Sequence, residues 1–220
     1  KETDMLGGID PYSASKSSSE LLIRSYVESF FKKENKCGVS SVRAGNVIGG
    51  GDWAKDRIVV DCVNAWSNNK EVELRNPKSI RPWQHVLEPL SGYLWLGINL
   101  FKEPEKYATA WNFGPYGDET KTVKNIVDNI LKLWRPEDTK LIVNEDHSGA
   151  ESKLLSLDCA KAQHELNWRA TWSVEETLDA IVSWYKNYYS STGVNSYEIV
   201  QKQISQYSDS ARLRGLPWAQ

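Results

Sequence analysis

The chain has 220 residues, 40% of them apolar and 25% charged, with a formal charge of −2. That mix suits a globular protein with a sizeable core, in one or two domains. Charges of both signs are interspersed, which gives no electrostatic reason to expect nucleic acid or an anionic membrane as partner.

Asp10-Pro11 supplies an N-cap and a first-turn proline. With the apolar stripe Leu22, Ile23, Tyr26, Val27, Phe30 and Phe31, it predicts a helix over 12–35. Val39 to Ala44 reads as a short strand running into Gly45-Asn-Val-Ile-Gly49-Gly50-Gly51, a strand and glycine-rich loop of the kind found where ligands sit. A helix is expected from Arg57 to Trp66, a short strand at Val72 to Leu74, and a helix from Pro89 to Phe101. Tyr107 to Phe113 reads as a strand, Val123 to Trp134 as an amphipathic helix, and Leu141 to Val143 as another short strand. Ser173-Val-Glu-Glu176 is a capping box opening a helix that carries Leu178, Ile181, Val182, Tyr185 and Tyr188 on one face. A polar linker over 190–193 precedes a helix marked by Tyr197, Val200, Ile204 and Tyr207, and 209–220 reads as a loose tail. The alternation of helix and strand is that of an α/β protein.

Cys37, Cys62 and Cys159 are odd in number, far apart and without CxxC spacing. Reduced thiols in a cytoplasmic protein fit this better than a disulfide framework or a zinc knuckle. No apolar run reaches the roughly 20 residues of a membrane span, and the start has no signal-peptide pattern. The absence of an initiating Met leads to the expectation of residues ahead of Lys1.

Tyr12 and Lys16 carry the sharpest chemistry. Four residues apart on a helix, they stack on one face, one turn from each other. An ammonium beside a phenol favours the phenolate, the form that acts as a base. A core-edge tyrosine beside a solvated lysine is the ordinary alternative.

Asn46, within the glycine loop, offers an amide to phosphate or sugar oxygens, although turn formation alone also explains the glycines. The loop lacks the G-x-G-x-x-G order of a dinucleotide fingerprint. Arg57, Arg75 and Arg81 lie in or near loops, where planar guanidinium forks hold a diphosphate or, equally, form surface salt bridges. Trp53, Trp83 and Trp111 are candidate stacking platforms or simple core residues. Asn112, in Trp111-Asn-Phe-Gly114-Pro115, sits at the end of a strand, where open α/β sheets bind ligands, and can equally be a turn residue. His85, His147 and His164 have no partner at metal-ligand spacing, and His147 lies in a loop that could line a pocket.

The order of these clusters resembles the extended short-chain dehydrogenase/reductase superfamily acting on nucleotide sugars. The matching segments are Asp10-Pro-Tyr12-Ser-Ala-Ser-Lys16, Arg43-Ala-Gly-Asn46, Asp56-Arg57-Ile-Val, Ile80-Arg81-Pro-Trp-Gln-His85-Val and Trp111-Asn112-Phe-Gly114. Within it, the stretches from Gly49 to Val63 and from Leu74 to Tyr93 resemble the CDP-glucose 4,6-dehydratase family most closely, as does Leu155-Ser-Leu-Asp-Cys-Ala-Lys-Ala with Leu166-Asn-Trp168. The resemblance runs from residue 1 to about 208. It implies the C-terminal portion of an NAD(P)-binding Rossmann-like fold, residues 1–48, joined to a smaller mixed α/β substrate-binding domain over 49–208, with about 85–115 returning to the first domain.

The resemblance further implies a lyase with tightly held NAD. Tyr12 would take the proton of the glucose 4-hydroxyl while hydride leaves C4, water would leave across C5 and C6, and hydride would return to C6. The product would be CDP-4-keto-6-deoxyglucose, for deoxysugars of bacterial surface polysaccharide such as O-antigen. Lys16 would contact the nicotinamide ribose and tune Tyr12; Asn46, Arg57, Arg81, Asn112 and also Arg75 would contact the substrate's nucleotide diphosphate or nucleoside. A homodimer through the helix over 12–35 is also implied. The family's glycine-rich phosphate loop and its Ser/Thr-Asp-Lys segment have no match in these 220 residues, so the chain by itself is expected to be inactive. Epimerisation, another nucleotide sugar, or a non-catalytic binding and dimerisation module are the alternatives.

Overall fold

The computed structural model describes residues 1–31, 37–115, 121–134, 141–143, 154–190 and 195–220. Helix α1, Pro11–Tyr26, starts where its cap dictates: the Asp10 carboxylate accepts from the Tyr12 and Ser13 backbone N–H groups at 2.9 and 3.0 Å. After Tyr26 the coil widens into a π-helical turn, Val27–Phe31, so the α-helix is shorter than its apolar stripe predicted, and 32–36 lie outside the described residues. Strand β1, Ser41–Ala44, follows, and α1 meets it through a bidentate ion pair between Arg43 and Glu20 at 2.6 Å. The stripe itself stays open, with Leu22 60% and Phe30 62% exposed.

Strand β2, Asn46–Ile48, is separated from β1 by Gly45 alone. Helix α2, Ile58–Ser67, and β3, Val72–Leu74, come next, then two strands hidden in a motif that sequence periodicity did not resolve: β4, Ile80–Arg81, and β5, Trp83–His85. Helix α3, Leu87–Lys102, runs into a single turn, α4, Pro104–Tyr107. Tyr107 is therefore the buried end of a helical turn, and the expected strand begins later, as β6, Ala110–Phe113. A proline at the first helical position of α4, with the preceding backbone already turned, accounts for the shift.

Strand β7, Lys121–Thr122, leads into α5, Val123–Trp134; then come β8, Leu141–Val143, α6, Ala160–Glu165, α7, Val174–Tyr189, and α8, Ser196–Leu213. The capping box at Ser173 forms as read: its hydroxyl accepts from the Glu176 N–H, and the Glu176 carboxylate accepts from the Ser173 N–H. The tail expected from 209 is a correction. The apolar face of α8 continues through Tyr207 and Ala211, Leu216 is buried, and Trp218, in a closing 3₁₀ turn, stacks on Tyr207. Most of the polar linker expected at 190–193 lies outside the described residues.

The strands pair as short ladders. Parallel pairs are β1 with β6, β2 with β5 and β3 with β8, while β4 and β7 are antiparallel. Parallel neighbours need helical crossovers, so the mixed α/β fold expected from the sequence is what forms. One core gathers α2, β3, α5 and α7 through Val63, Leu74, Ile126, Ile130, Leu178 and Ile181; another gathers α3, β6 and α6 through Leu96, Trp111, Phe113, Ala162 and Trp168. Ile126 and Ile130 are fully buried one turn apart on α5, each contributing about 1.5–3 kcal/mol of apolar burial.

Between these cores sits a buried carboxylate. Glu88, in the first turn of α3, is fully enclosed, and its two oxygens accept from the backbone N–H of Trp172 at 2.8 Å, the backbone N–H of Thr171 at 2.7 Å and the Tyr207 hydroxyl at 2.7 Å. Tyr207 also lies 3.0 Å from the Ser91 hydroxyl, which accepts from the Trp168 indole. One side chain thus joins α3, the approach to α7, and α8.

Burial raises the Glu88 carboxyl from 4.5 to about 7. A carboxyl raised on folding adds stability that is full below its unfolded value and is lost as pH rises through its folded value. Chemical denaturation should therefore show stability falling by roughly 3 kcal/mol between pH 4.5 and 8 on account of Glu88. Glu88→Gln should flatten that slope: stability at pH 4.5 should be about 2 kcal/mol below the parent, since an amide presents N–H to a donor, and the deficit should vanish by pH 8 as the parent loses its own advantage. An unchanged slope in the variant would remove Glu88 from this role.

Candidate active site

A helix packed antiparallel on a strand brings its N-terminus to the strand's carboxyl end. Glu20 of α1 meets Arg43 of β1, and farther along, Val27 and Glu28 line one cavity of about 640 Å³ with Val39 and Ser41. Tyr12 lies eight residues before Glu20, so it projects about 12 Å beyond that ion pair, toward the carboxyl ends of β1 and β6. This is the edge at which open α/β sheets bind ligands.

Tyr12 is 72% exposed there, and the Lys16 ammonium lies over its ring, 5.4 Å from the centroid. Serines hold the backbone around them: Ser15 donates to the Tyr12 carbonyl at 2.7 Å, and Ser17, just past Lys16, both accepts from the Gly7 N–H and donates to the Gly7 carbonyl. The pair expected from helical spacing is thus formed, with Tyr12 largely exposed.

Asn46 and Arg81 come together because the chain changes ladder at Gly45. The Gly45 N–H donates to the Phe113 carbonyl of β6 at 3.3 Å, and the Asn46 N–H donates to the Pro82 carbonyl at 2.8 Å, entering the β2–β5 ladder opposite Trp83. A Cβ at Gly45 would lie 2.4 Å from the Pro82 oxygen. Arg81 precedes that proline and is buried, with one guanidinium nitrogen donating to the Ile80 carbonyl. Arg57 and Arg75 form a second group. Arg57 is the N-cap residue of α2, and Arg75 pairs with the adjacent Asp56 at 3.1 Å, both partners being exposed.

Asn112 is not part of this surface, which corrects the expectation of a ligand contact. It is fully buried in β6, which α6 and its neighbours cover, and its amide donates to the Asp158 carbonyl at 3.1 Å. Trp83 and Trp111 are also core rather than platforms, their indoles donating to the Lys121 and Tyr107 carbonyls. Trp53 is 43% exposed and leans on the aromatic face of α7.

His85 is buried, accepts from the Leu87 N–H and is held down to about 4 by burial, so it is neutral. His147 lies outside the described residues. Among the described residues no three His, Cys, Asp or Glu side chains are grouped to hold a metal, and no helix is long and apolar enough to cross a membrane.

Sequence reasoning missed Gln84 and Glu88. The Gln84 amide donates to the Phe113 carbonyl, tying β5 to the end of β6 beneath the site. Their signal was a dense polar run, Gln84-His85-Val-Leu-Glu88, inside an otherwise apolar strand-to-helix passage.

Residues 1–181 match the family model for GDP-mannose 4,6 dehydratase. The chain is 45% identical over 211 residues to the CDP-glucose 4,6-dehydratase of Salmonella typhimurium, covering 94% of this chain and 58% of that relative's length. Among solved structures it resembles dTDP-glucose 4,6-dehydratase of Bacillus anthracis in complex with NAD, with a TM-score of 0.67 at 21% identity over 85% of this chain and 55% of that one. It also resembles UDP-glucose 4-epimerase of Thermotoga maritima with UDP-glucose, with a TM-score of 0.71 at 19% identity over 86% of this chain and 57% of that one.

The ladder change at Gly45 can be tested by substitution. Gly45→Ala forces a Cβ against the backbone oxygen of Pro82 and should lower stability by about 2–3 kcal/mol. Gly97→Ala, in the middle of α3 with nothing within 4 Å, should raise it by about 0.5–1 kcal/mol. Thermal denaturation of both variants checks the contrast, and equal effects would sink it.

Proposed function

The chain belongs to the GDP-mannose 4,6 dehydratase family, and on that premise we propose that the whole protein dehydrates CDP-glucose to CDP-4-dehydro-6-deoxyglucose with NAD. The observation that carries this reading is Tyr12, exposed at the carboxyl edge of parallel strands with the Lys16 ammonium over its ring. The sequence likeness to a CDP-glucose 4,6-dehydratase supports the choice of sugar nucleotide.

The residues present fit one end of the cofactor: an open phenol and an ammonium one helical turn apart suit a nicotinamide ribose and the sugar carbon beside it. NAD, when bound, supplies acceptance of hydride at C4 and its return at C6. Tyr12 accepts the 4-hydroxyl proton as the C–H bond breaks, while Lys16 presents its charge to the phenol. The 4-ketone then acidifies C5, and the C6 hydroxyl leaves as water. Arg57 and Arg75, exposed around the turn at Asp56, meet the diphosphate with planar donor forks, and Asn46 and Arg81 line the same approach.

In this reading residues 1–48 and about 85–115 belong to the cofactor-binding domain and the rest of 49–208 to the sugar-nucleotide domain. The open stripe of α1 and the turn after it, with Leu22, Tyr26 and Phe30 more than half exposed, serves as the face of a homodimer. The protein works in the cytoplasm, in deoxysugar supply for O-antigen.

Two measurements on the full-length protein test this. Incubation with CDP-, UDP-, GDP- and TDP-glucose, read as the ultraviolet absorbance of a 4-keto product in alkali, should give signal with CDP-glucose alone. A stronger signal with another nucleotide overturns the substrate. Tyr12→Phe should lower kcat by about 10²–10⁴-fold with nucleotide-sugar affinity nearly unchanged; near-normal turnover returns Tyr12 to a surface residue. For the assembly, Leu22→Glu should convert a dimer to monomer in sedimentation, and an unchanged mass rejects α1 as the interface.

A further inference from the structure

The segment Gly49–Arg57, between β2 and α2, carries Arg57 but has little regular structure of its own. What fixes it is the far end of α7. The Tyr185 hydroxyl, more than 130 residues along the chain, donates to the Asp52 carbonyl at 2.7 Å and lies 3.5 Å from the Gly49 carbonyl. Trp184 lies so close to the loop that a Cβ on Gly50 would be 2.2 Å from its ring, and Gly51 turns at φ 78° beside the same indole.

Trp53 closes the grip from outside. Its ring meets Tyr185 edge-on at 5.5 Å and lies 4.9 Å from Tyr188. Within the loop, the Asp52 carboxylate accepts from the Ala54 N–H. Asp56 is held at φ 62°, a strained value for a residue with a Cβ, immediately before Arg57. Burial pushes the Tyr185 phenol up to about 12, so it is a neutral donor at any working pH.

We propose that Tyr185 is a positioning residue for the sugar-nucleotide site: its phenol fixes the backbone of the loop over 49–57 and so sets where Arg57 meets the diphosphate. The inference rests on the reading, given above, that Arg57 binds substrate. Tyr185 touches no reacting atom in this scheme, so its loss acts on substrate binding and leaves the chemical step alone.

The test measures KM and kcat for CDP-glucose with the full-length protein as Tyr185→Phe, Arg57→Ala and the double variant. Tyr185→Phe should raise KM about three- to tenfold, the span of one neutral hydrogen bond, with kcat within twofold. In the Arg57→Ala background the same change should add less than twofold, because the group it positions is gone. A KM for Tyr185→Phe within twofold of the parent, a fall in kcat alone, or the same factor in both backgrounds overturns the proposal. A parent-like KM for Arg57→Ala alone rejects the role of Arg57 in substrate binding, and with it the route from Tyr185 through that residue. Should Tyr185→Phe fail to fold, Gly51→Ala, which disturbs the loop from its own backbone, should raise KM and leave kcat unchanged, and an unaltered KM then decides against the clamp.

Discussion

An enclosed carboxylate with three donors fixes how the elements of this chain sit against each other. Glu88 receives two backbone N–H groups from the approach to α7 and a hydroxyl from α8. A charge or acid so buried is tolerated only where its acceptors are filled, so α3 and the two elements that fill them have one relative placement. Apolar packing alone is less selective, since hydrophobic surfaces of the right volume fit together in several ways. The network extends from Tyr207 to Ser91 and Trp168, carrying the constraint from the first turn of α3 into the core around β6.

That constraint reaches the site through the strands before it. Glu88 follows the end of β5 by three residues, and β5 is the partner of β2. Gln84 ties the same strand to the end of β6, and Pro82 receives the Asn46 N–H where the chain leaves one ladder for another. Asn46 and Arg81 thus owe their proximity to a strand exchange at a glycine that has no room for a side chain. Arg57 is placed differently, on a loop gripped by aromatic rings from α7, and Tyr12 by the antiparallel passage of α1 along β1. Three separate devices thus place the Asn46 and Arg81 pair, Arg57, and Tyr12.

The local part of this was legible in the residues. A period of 3.6 marked α1, α2, α3, α5, α7 and α8, and caps at Asp10 and Ser173 form from neighbouring atoms alone. The short strands β4, β5 and β7 were not legible, because two or three residues hold no period and their ladders are made with chain far away in sequence. Tyr107 failed for a related reason: a β-favouring residue was claimed by a proline-started turn.

The sequence by itself determined that Tyr12 and Lys16 meet, since four residues on a helix fix their neighbourhood whatever the rest of the chain does. It also determined which other side chains are capable of meeting a diphosphate. Only the tertiary structure decided which of them face outward: Asn112 and Trp111 are inside because β6 is covered by α6 and its neighbours, while Arg57 and Arg75 meet at a turned Asp56. Likewise Glu88 went unread and Tyr185 read as an apolar-face tyrosine until their partners, contributed by chain from 83 to more than 130 residues away, came within hydrogen-bond distance. Local spacing is encoded in adjacent residues; burial and long-range donors exist only once the chain has closed.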